Sequence, residues 1–408
     1  MPRSNAPYAN DPAEDALLTP LAITRGCLIT PTGLVPDGVL LIREGQIAAL
    51  GRDVPLPTGC ETLDARGSYV APGFIDLHCH GGLGSDFMDA TPGDFETICR
   101  YHADGGTTTL LATTASAPLN EILACLEQVR RARLGPPVGS RVLGAHVEGP
   151  YFALAKKGCH LASQVRNPTP AEYDQLLARA EDIRSMTLAP EIPGASELIA
   201  ALRQRGIVAS CGHSDATYSE ALKAIQFGAW HVTHMFCAMS SILRTGARRQ
   251  GGLVEATLLR DELTTEVIAD GKHLPPELIQ LTLRAKGLDR VCAVTDAMRG
   301  AGMPEGRYAF GPKHGEMAIV KDGEAKTLDG SGFASSVVRM NDLVRVLVRQ
   351  IGLSLPAAVQ MVTLNPARVL GLADRKGTLA AGKDADVVVF DEQVDVKLTL
   401  VGGMSVPP

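Results

Sequence analysis

The sequence predicts an α/β fold, a (β/α)8 TIM barrel with a small β-sandwich domain built from both chain ends. Three observations predict it. Between residues 71 and 372, short apolar runs alternate with helical patterns, as in parallel strands joined by crossover helices. Eight such runs are present, the number that closes this barrel. Both chain ends carry β-like runs punctuated by Gly and Pro, and strands too few to stand alone need partners.

Taken in order, residues 1–19 mix Pro, Asn, Asp and Ala without periodicity and are expected to be a disordered tail. Residues 20–70, with LAITRGCLIT, GVLLIREGQIAAL and SYVAP, form the first part of the sandwich. Residues 373–408, with DADVVVFDEQVDVKLTLVGG, form the second. Barrel strands are expected at GFIDLH (73–78), TTLLAT (108–113), VLGAHV (142–147), MTLAPE (186–191), IVASCG (207–212), WHVTHM (230–235), EVIAD (266–270) and CAVTD (292–296). Thr91 with Asp94, Thr169 with Glu172 and Thr217 with Glu220 each have the spacing of a capping box at a helix start.

Composition excludes several function classes. The 39 Lys and Arg are scattered among 45 Asp and Glu, a net charge of -6, and make no basic face to follow a phosphate backbone. Nucleic acid is not an expected partner. No run reaches the roughly 18 apolar residues of a membrane helix, and MPRSNAPYANDPAED lacks the apolar core of a secretory signal. Nine cysteines without a C-x-x-C pair suggest neither a disulfide framework nor a structural zinc knuckle, so a reducing cytoplasm is the expected location.

The polar residues at the strand ends carry the functional signal. His78, Glu148, His213, His234 and Asp296 fall at or just past the C-terminal ends of strands one, three, five, six and eight, the rim where this barrel carries its active site. His78 and His80 in DLHCHGG are two apart, so on extended backbone both point one way and Cys79 points the other. Two histidines and a carboxylate on one rim suit a catalytic divalent metal with an open water position. Zinc is the default, while iron, manganese or cobalt accept the same donors. Asp296 is either a helix cap or the carboxylate that moves a proton from water to a leaving amine.

In order and spacing, APGFIDLHCHGG, HVEGPYF, KKGCH, LAPE, GHSDATY, THMFCAM, IADGKH, VTDAM, NPARVLGL and KGTLAAGKDADVVVFD resemble the N-acetylglucosamine-6-phosphate deacetylases of the amidohydrolase superfamily. The resemblance runs from about residue 20 to 403. It implies Glu148, His213 and His234 as ligands of a primary metal and His78 with His80 as a second-metal pair, one or two ions per subunit. It also implies Asp296 as general base and acid, His160 as the group that polarises the acetyl carbonyl, and His273 as a substrate-binding residue. A small-molecule substrate and a homodimer follow in the same way.

Departures from the family pattern bear on the substrate. Cys237 stands beside Ala238 in THMFCAM where the family has Asn, in a stretch that resembles part of its sugar-phosphate site. The following SSILRTGARRQGG replaces a short Pro-rich link with one phosphate-binding arginine. Arg244, Arg248 and Arg249 are candidate replacements, or charges on a solvated loop. Phe333 in DGSGFASS changes a loop near the acyl or sugar pocket. N-acetylgalactosamine-6-phosphate or another N-acyl amine is the alternative substrate, and a non-catalytic binding protein is the alternative class.

Overall fold

The computed structural model describes residues 19–406, so the expected tail, apart from Thr19, lies outside the described residues. Five strands come first: β1 (Leu21–Thr30), β2 (Gly33–Arg43), β3 (Gln46–Gly51), β4 (Glu61–Asp64) and β5 (Tyr69–Pro72). The eight expected barrel strands follow as β6 (Phe74–Cys79), β7 (Thr107–Thr113), β8 (Arg141–Glu148), β9 (Ile183–Leu188), β10 (Val208–Cys211), β11 (His231–Val232), β12 (Thr264–Ile268) and β13 (Val291–Val294). Each pairs in parallel with the next. The ring closes where the amide of Asp296 donates to the carbonyl of His78 at 2.8 Å and Cys79 bridges to Ala297 in parallel.

Helices alternate with these strands and cover the barrel, so the strands are buried on both faces and read as near-continuous runs; every residue of β7, TTTLLAT, is buried. Inside the barrel the buried polar side chains satisfy one another. His146 accepts from Thr187 at 2.6 Å, and Thr187 and Ser210 both meet the hydroxyl of Thr233, at 2.7 and 2.6 Å. The fourth strand lies three residues earlier than expected, and the sixth is shorter than expected. β9 stops at Leu188, just before Pro190, which has no N–H for the ladder. β11 stops at Val232 because the chain turns out at His234, whose φ is 27°.

After the barrel come an antiparallel sheet of β14 (Gly306–Ala309), β15 (Met317–Lys321) and β16 (Glu324–Thr327), then β17 (Val387–Phe390), β18 (Val396–Val401) and β19 (Met404–Ser405). β17 pairs antiparallel with β5, so strands from both ends of the described chain share one eight-stranded sheet, as expected. Its own core joins Ile23, Leu28 and Leu40 to Val387, Val389 and Leu400. Gly26 is required there, since a Cβ would lie 2.6 Å from Cγ2 of Val70. Gly73, the residue between β5 and β6, is required too, because a Cβ would lie 2.2 Å from the side chain of Thr108.

Two of the three expected capping boxes form. Thr91 and Asp94 close one on α1 (Pro92–Asp104), and Thr217 and Glu220 close the other on α3 (Tyr218–Phe227). Thr169 caps α2 (Pro170–Leu177) by position only: the Glu172 amide donates to the Thr169 carbonyl at 3.0 Å and not to its side chain, and the Glu172 carboxylate is taken by Arg166, whose Nε donates to both its oxygens at 2.8 and 3.0 Å. Thr91→Ala and Thr217→Ala should each cost about 1 kcal/mol in urea unfolding, and Thr169→Ala only a few tenths. Equal costs at all three positions would contradict this difference.

Candidate active site

Five buried histidines and two buried carboxylates converge at the C-terminal ends of the barrel strands. Glu148, the last residue of β8, stands at the centre. Its Oε1 lies 3.1 Å from Nε2 of His234 and 3.3 Å from Nε2 of His213, while its Oε2 lies 3.4, 3.2 and 3.4 Å from Nε2 of His78, His80 and His160. Each oxygen therefore serves a different group of rings. Asp296 closes the second group, its Oδ1 3.4 Å from His78 and 3.2 Å from His80. Cys79 points away, as its position in the strand requires, and meets His102 at 3.1 Å.

Whether these residues suit a metal is decided by where the ring protons are. His213 donates from Nδ1 to the carbonyl of Lys156 at 2.8 Å, and His78 donates from Nδ1 to Glu266 at 3.2 Å. In the neutral rings Nε2 then carries only a lone pair. Yet Nε2 of His78 lies 3.3 Å from that of His80, and Nε2 of His213 lies 3.2 Å from that of His234. The lone pairs of His78 and His213, each aimed at a neighbouring ring nitrogen beside a carboxylate, fit a cation between the rings, and a ring N–H held by a carboxylate or carbonyl is how such ligands are oriented. The donor set fits a divalent ion.

The titration of the site points the same way. Burial pushes His78 down, but Glu148 and Asp296 outweigh it and hold it well above the usual range; His80 is raised to about 9 against the same opposition. His234 is raised as well. Burial would raise Glu148 and Asp296, yet His78 and its neighbours hold Glu148 well below the carboxylate range and Asp296 at about 2. Two buried carboxylates thus demand positive charge at one spot. Burial keeps His213 below the usual range, and its ring stacks on Phe152 at 4.1 Å.

His160 differs from the others. The backbone N–H of Ser116 donates to its Nδ1 at 3.0 Å, so Nδ1 is an acceptor and the ring proton sits on Nε2. Burial lowers its pKa to about 4, which leaves it neutral near pH 7. A neutral ring with Nε2–H aimed into the cluster is a hydrogen-bond donor for a developing negative oxygen. Phe310 borders it, 5.1 Å from the His160 ring and 4.7 Å from that of His80.

The strand ends are kinked to aim these side chains. His213, His234 and Asp296 have φ of 49°, 27° and 50°, a left-handed backbone that non-glycine residues seldom adopt. Glu266 inside β12 was not singled out from the sequence. It takes the His78 ring, the His231 ring at 3.2 Å and the His234 amide at 3.3 Å, and so ties the two histidine groups together. The clue was a buried-strand glutamate in EVIAD, since a carboxylate buried in a strand needs partners.

The expected substrate residues are less tightly assembled. His273 donates to Asp270 at 2.7 Å and stacks on Phe333 at 4.3 Å. Ala238 has φ 48°, and its carbonyl accepts from the Ser214 amide at 3.1 Å; Cys237 is half-buried beside it. Arg244, Arg248 and Arg249 lie on a short antiparallel pair, Leu243–Thr245 with Arg248–Gln250, all three exposed. Arg244 donates to the carbonyl of Gly246 at 3.0 Å, a contact within the turn and not with the histidine cluster.

Residues 69–406 match the model of the amidohydrolase family. An N-acetylgalactosamine-6-phosphate deacetylase of Escherichia coli O157:H7 is 35% identical over 92% of this chain and 96% of its own length. An N-acetylglucosamine-6-phosphate deacetylase of Bacillus subtilis is 32% identical over 96% and 97%. The chain belongs to the N-acetylglucosamine-6-phosphate deacetylase family of amidohydrolases. Among solved structures, a variant of the Mycobacterium smegmatis enzyme of that name, in complex with N-acetyl-D-glucosamine-6-phosphate, is similar with a TM-score of 0.87 and 32% identity, covering 96% of this chain and 100% of that one. Amidohydrolases are metal-dependent, and His78 with His80 and Asp296, and Glu148 with His213 and His234, are groups in this family member able to hold an ion.

The tautomer of His160 is directly measurable. In nitrogen-15 spectra of the histidine-labelled protein at pH 7, its ring should appear neutral with the proton on Nε2. A proton on Nδ1 would remove it as a donor to the cluster.

Proposed function

We propose that this chain is a metal-dependent deacetylase that hydrolyses the N-acetyl amide of an amino-sugar phosphate, N-acetylglucosamine-6-phosphate first, to acetate and glucosamine-6-phosphate. One observation carries the reading: the two oxygens of Glu148 each face a histidine group, beside a neutral Nε2–H donor and a second carboxylate. Those are the parts amide hydrolysis needs, and the similarity to deacetylases supports the substrate class.

Glu148, His213 and His234 would hold a primary divalent ion, and His78 with His80 a second; zinc is the first choice for this donor set. Bound there, such an ion supplies Lewis-acid polarisation and lowers the pKa of water. His160 donates from Nε2 to the amide oxygen as negative charge develops on it. Asp296 takes the proton from the attacking water and returns it to the leaving nitrogen, for which an ionised carboxylate is required at the start. Its depressed pKa provides that.

For the sugar phosphate, His273 and the arginines of the 243–250 hairpin are the candidate donors. A second reading, N-acetylgalactosamine-6-phosphate as substrate, is favoured by the Escherichia coli relative at 35% identity. All nine cysteines are free, which fits a reducing cytoplasm. A homodimer is the assembly that the family resemblance implies.

His234→Ala should lose the primary ion together with turnover, because it removes one of three protein ligands. Full metal content and activity in this variant would reject the ligand assignment.

Acetate release, assayed on both phosphorylated epimers and on the plain N-acetyl sugars, should be fastest for a phosphorylated sugar. Asp296→Asn should keep the metal and lower kcat by at least about a hundredfold. Acetate release indifferent to the phosphate would move the assignment to another N-acyl amine.

A further inference from the structure

The reacting carboxylate is held from outside the barrel strands. The segment Ala334–Ser336 runs back from β16, where the Ala334 amide donates to Ala325 at 2.9 Å, and lies along the end of β13. There the Ser336 amide donates to the carbonyl of Asp296 at 2.8 Å, the Ser336 hydroxyl donates to the carbonyl of Thr295 at 2.6 Å, and Ala297 and Ser336 form a parallel bridge. Those contacts hold the backbone. Ser335 alone reaches the acid: its hydroxyl lies 3.0 Å from Oδ1 of Asp296 and also contacts the Asp296 carbonyl.

Two features make this contact more than incidental. Oδ1 is the oxygen that faces His78 and His80, so a donor on it fixes which way the carboxylate plane turns relative to the pocket. Ser335 is also buried, at 5% exposure, with φ 75°, a conformation that glycine adopts freely and serine does not. On conformational grounds alone glycine is the better residue here. Serine costs stability at this position and supplies one thing glycine lacks, the hydroxyl on Asp296.

We propose that Ser335 is a positioning residue for the proton-transferring carboxylate, its hydroxyl holding Asp296 in the rotamer that faces the histidine cluster. This rests on the deacetylase reading for the role of Asp296. A free carboxylate samples other rotamers, and small misplacements of a catalytic group are expensive in rate. The strained turn is retained at a cost in stability, as strain at functional sites commonly is.

The test compares Ser335→Gly, which removes both the hydroxyl and the strain, with Ser335→Ala, which removes the hydroxyl and keeps the strain. Both should lower kcat by roughly tenfold or more, with KM and metal content unchanged. Their melting temperatures should diverge, the Gly variant at or above wild type and the Ala variant below it. A crystal structure of the Gly variant should find the Asp296 carboxylate turned or split between rotamers. Wild-type kcat in the Gly variant, a fall of Tm and kcat together in it, or an unmoved carboxylate each overturns the proposal. If wild type hydrolyses no N-acetylated sugar phosphate, the functional reading fails, and the positioning of Asp296 is still decided by the rotamer.

Discussion

Everything at the mouth of this barrel is organised by the need to place two buried carboxylates where water cannot solvate them. Glu148 and Asp296 are almost fully buried, and a buried charge is tolerated only when paired. Histidines from strands one, five and six, and from the loop carrying His160, are brought to them. Strands five, six and eight end in left-handed turns at His213, His234 and Asp296, because an extended strand would carry the next side chains past the centre. The barrel below supplies stiffness through its satisfied layer of Thr187, Ser210, Thr233 and His146.

The histidines divide the labour by where the ring proton sits. Glu148 and Asp296 favour positive charge beside His78 and His80, which is where a bound ion would sit. His160 touches the same Glu148 but gives its Nδ1 to a backbone N–H, and burial keeps it neutral. One residue type thus yields ligands and a donor, and the partner of Nδ1 selects between the two. Phe152 and Phe310 pack against these rings, which limits their rotation.

The barrel was legible because a strand buried on both faces must be apolar along its length, and eight such runs stand out from helical periodicity. The clustering of His78, Glu148, His213, His234 and Asp296 was legible because each lies at or just past the end of such a run, whereas His160, in a loop, was indicated only by the family resemblance. Other features depended on contacts that spacing does not encode. The Thr169 box loses its carboxylate half to Arg166, and the 243–250 segment, whose arginines were candidate phosphate donors or charges on a solvated loop, pairs as a hairpin with φ 62° at Gly246. Glu266 was hidden within a strand, and the grip of Ser335 on Asp296 spans 39 residues.

The closing seam between β6 and β13 has a consequence for assembly. His78 and His80 belong to the first barrel strand and its edge, while Asp296 follows the last, so one half of the cluster straddles the joint of the ring. A chain with seven strands in place still has Glu148, His213 and His234 at the ends of strands three, five and six, but not the acid opposite His80. The contacts across the seam are among the most distant in sequence, 219 residues for Thr295 with Asp76, and such contacts form late because loop closure must be met first. Catalytic competence is therefore acquired only on completion of the ring, and any ligand bridging the joint acts as a clasp, favouring the closed barrel by mass action.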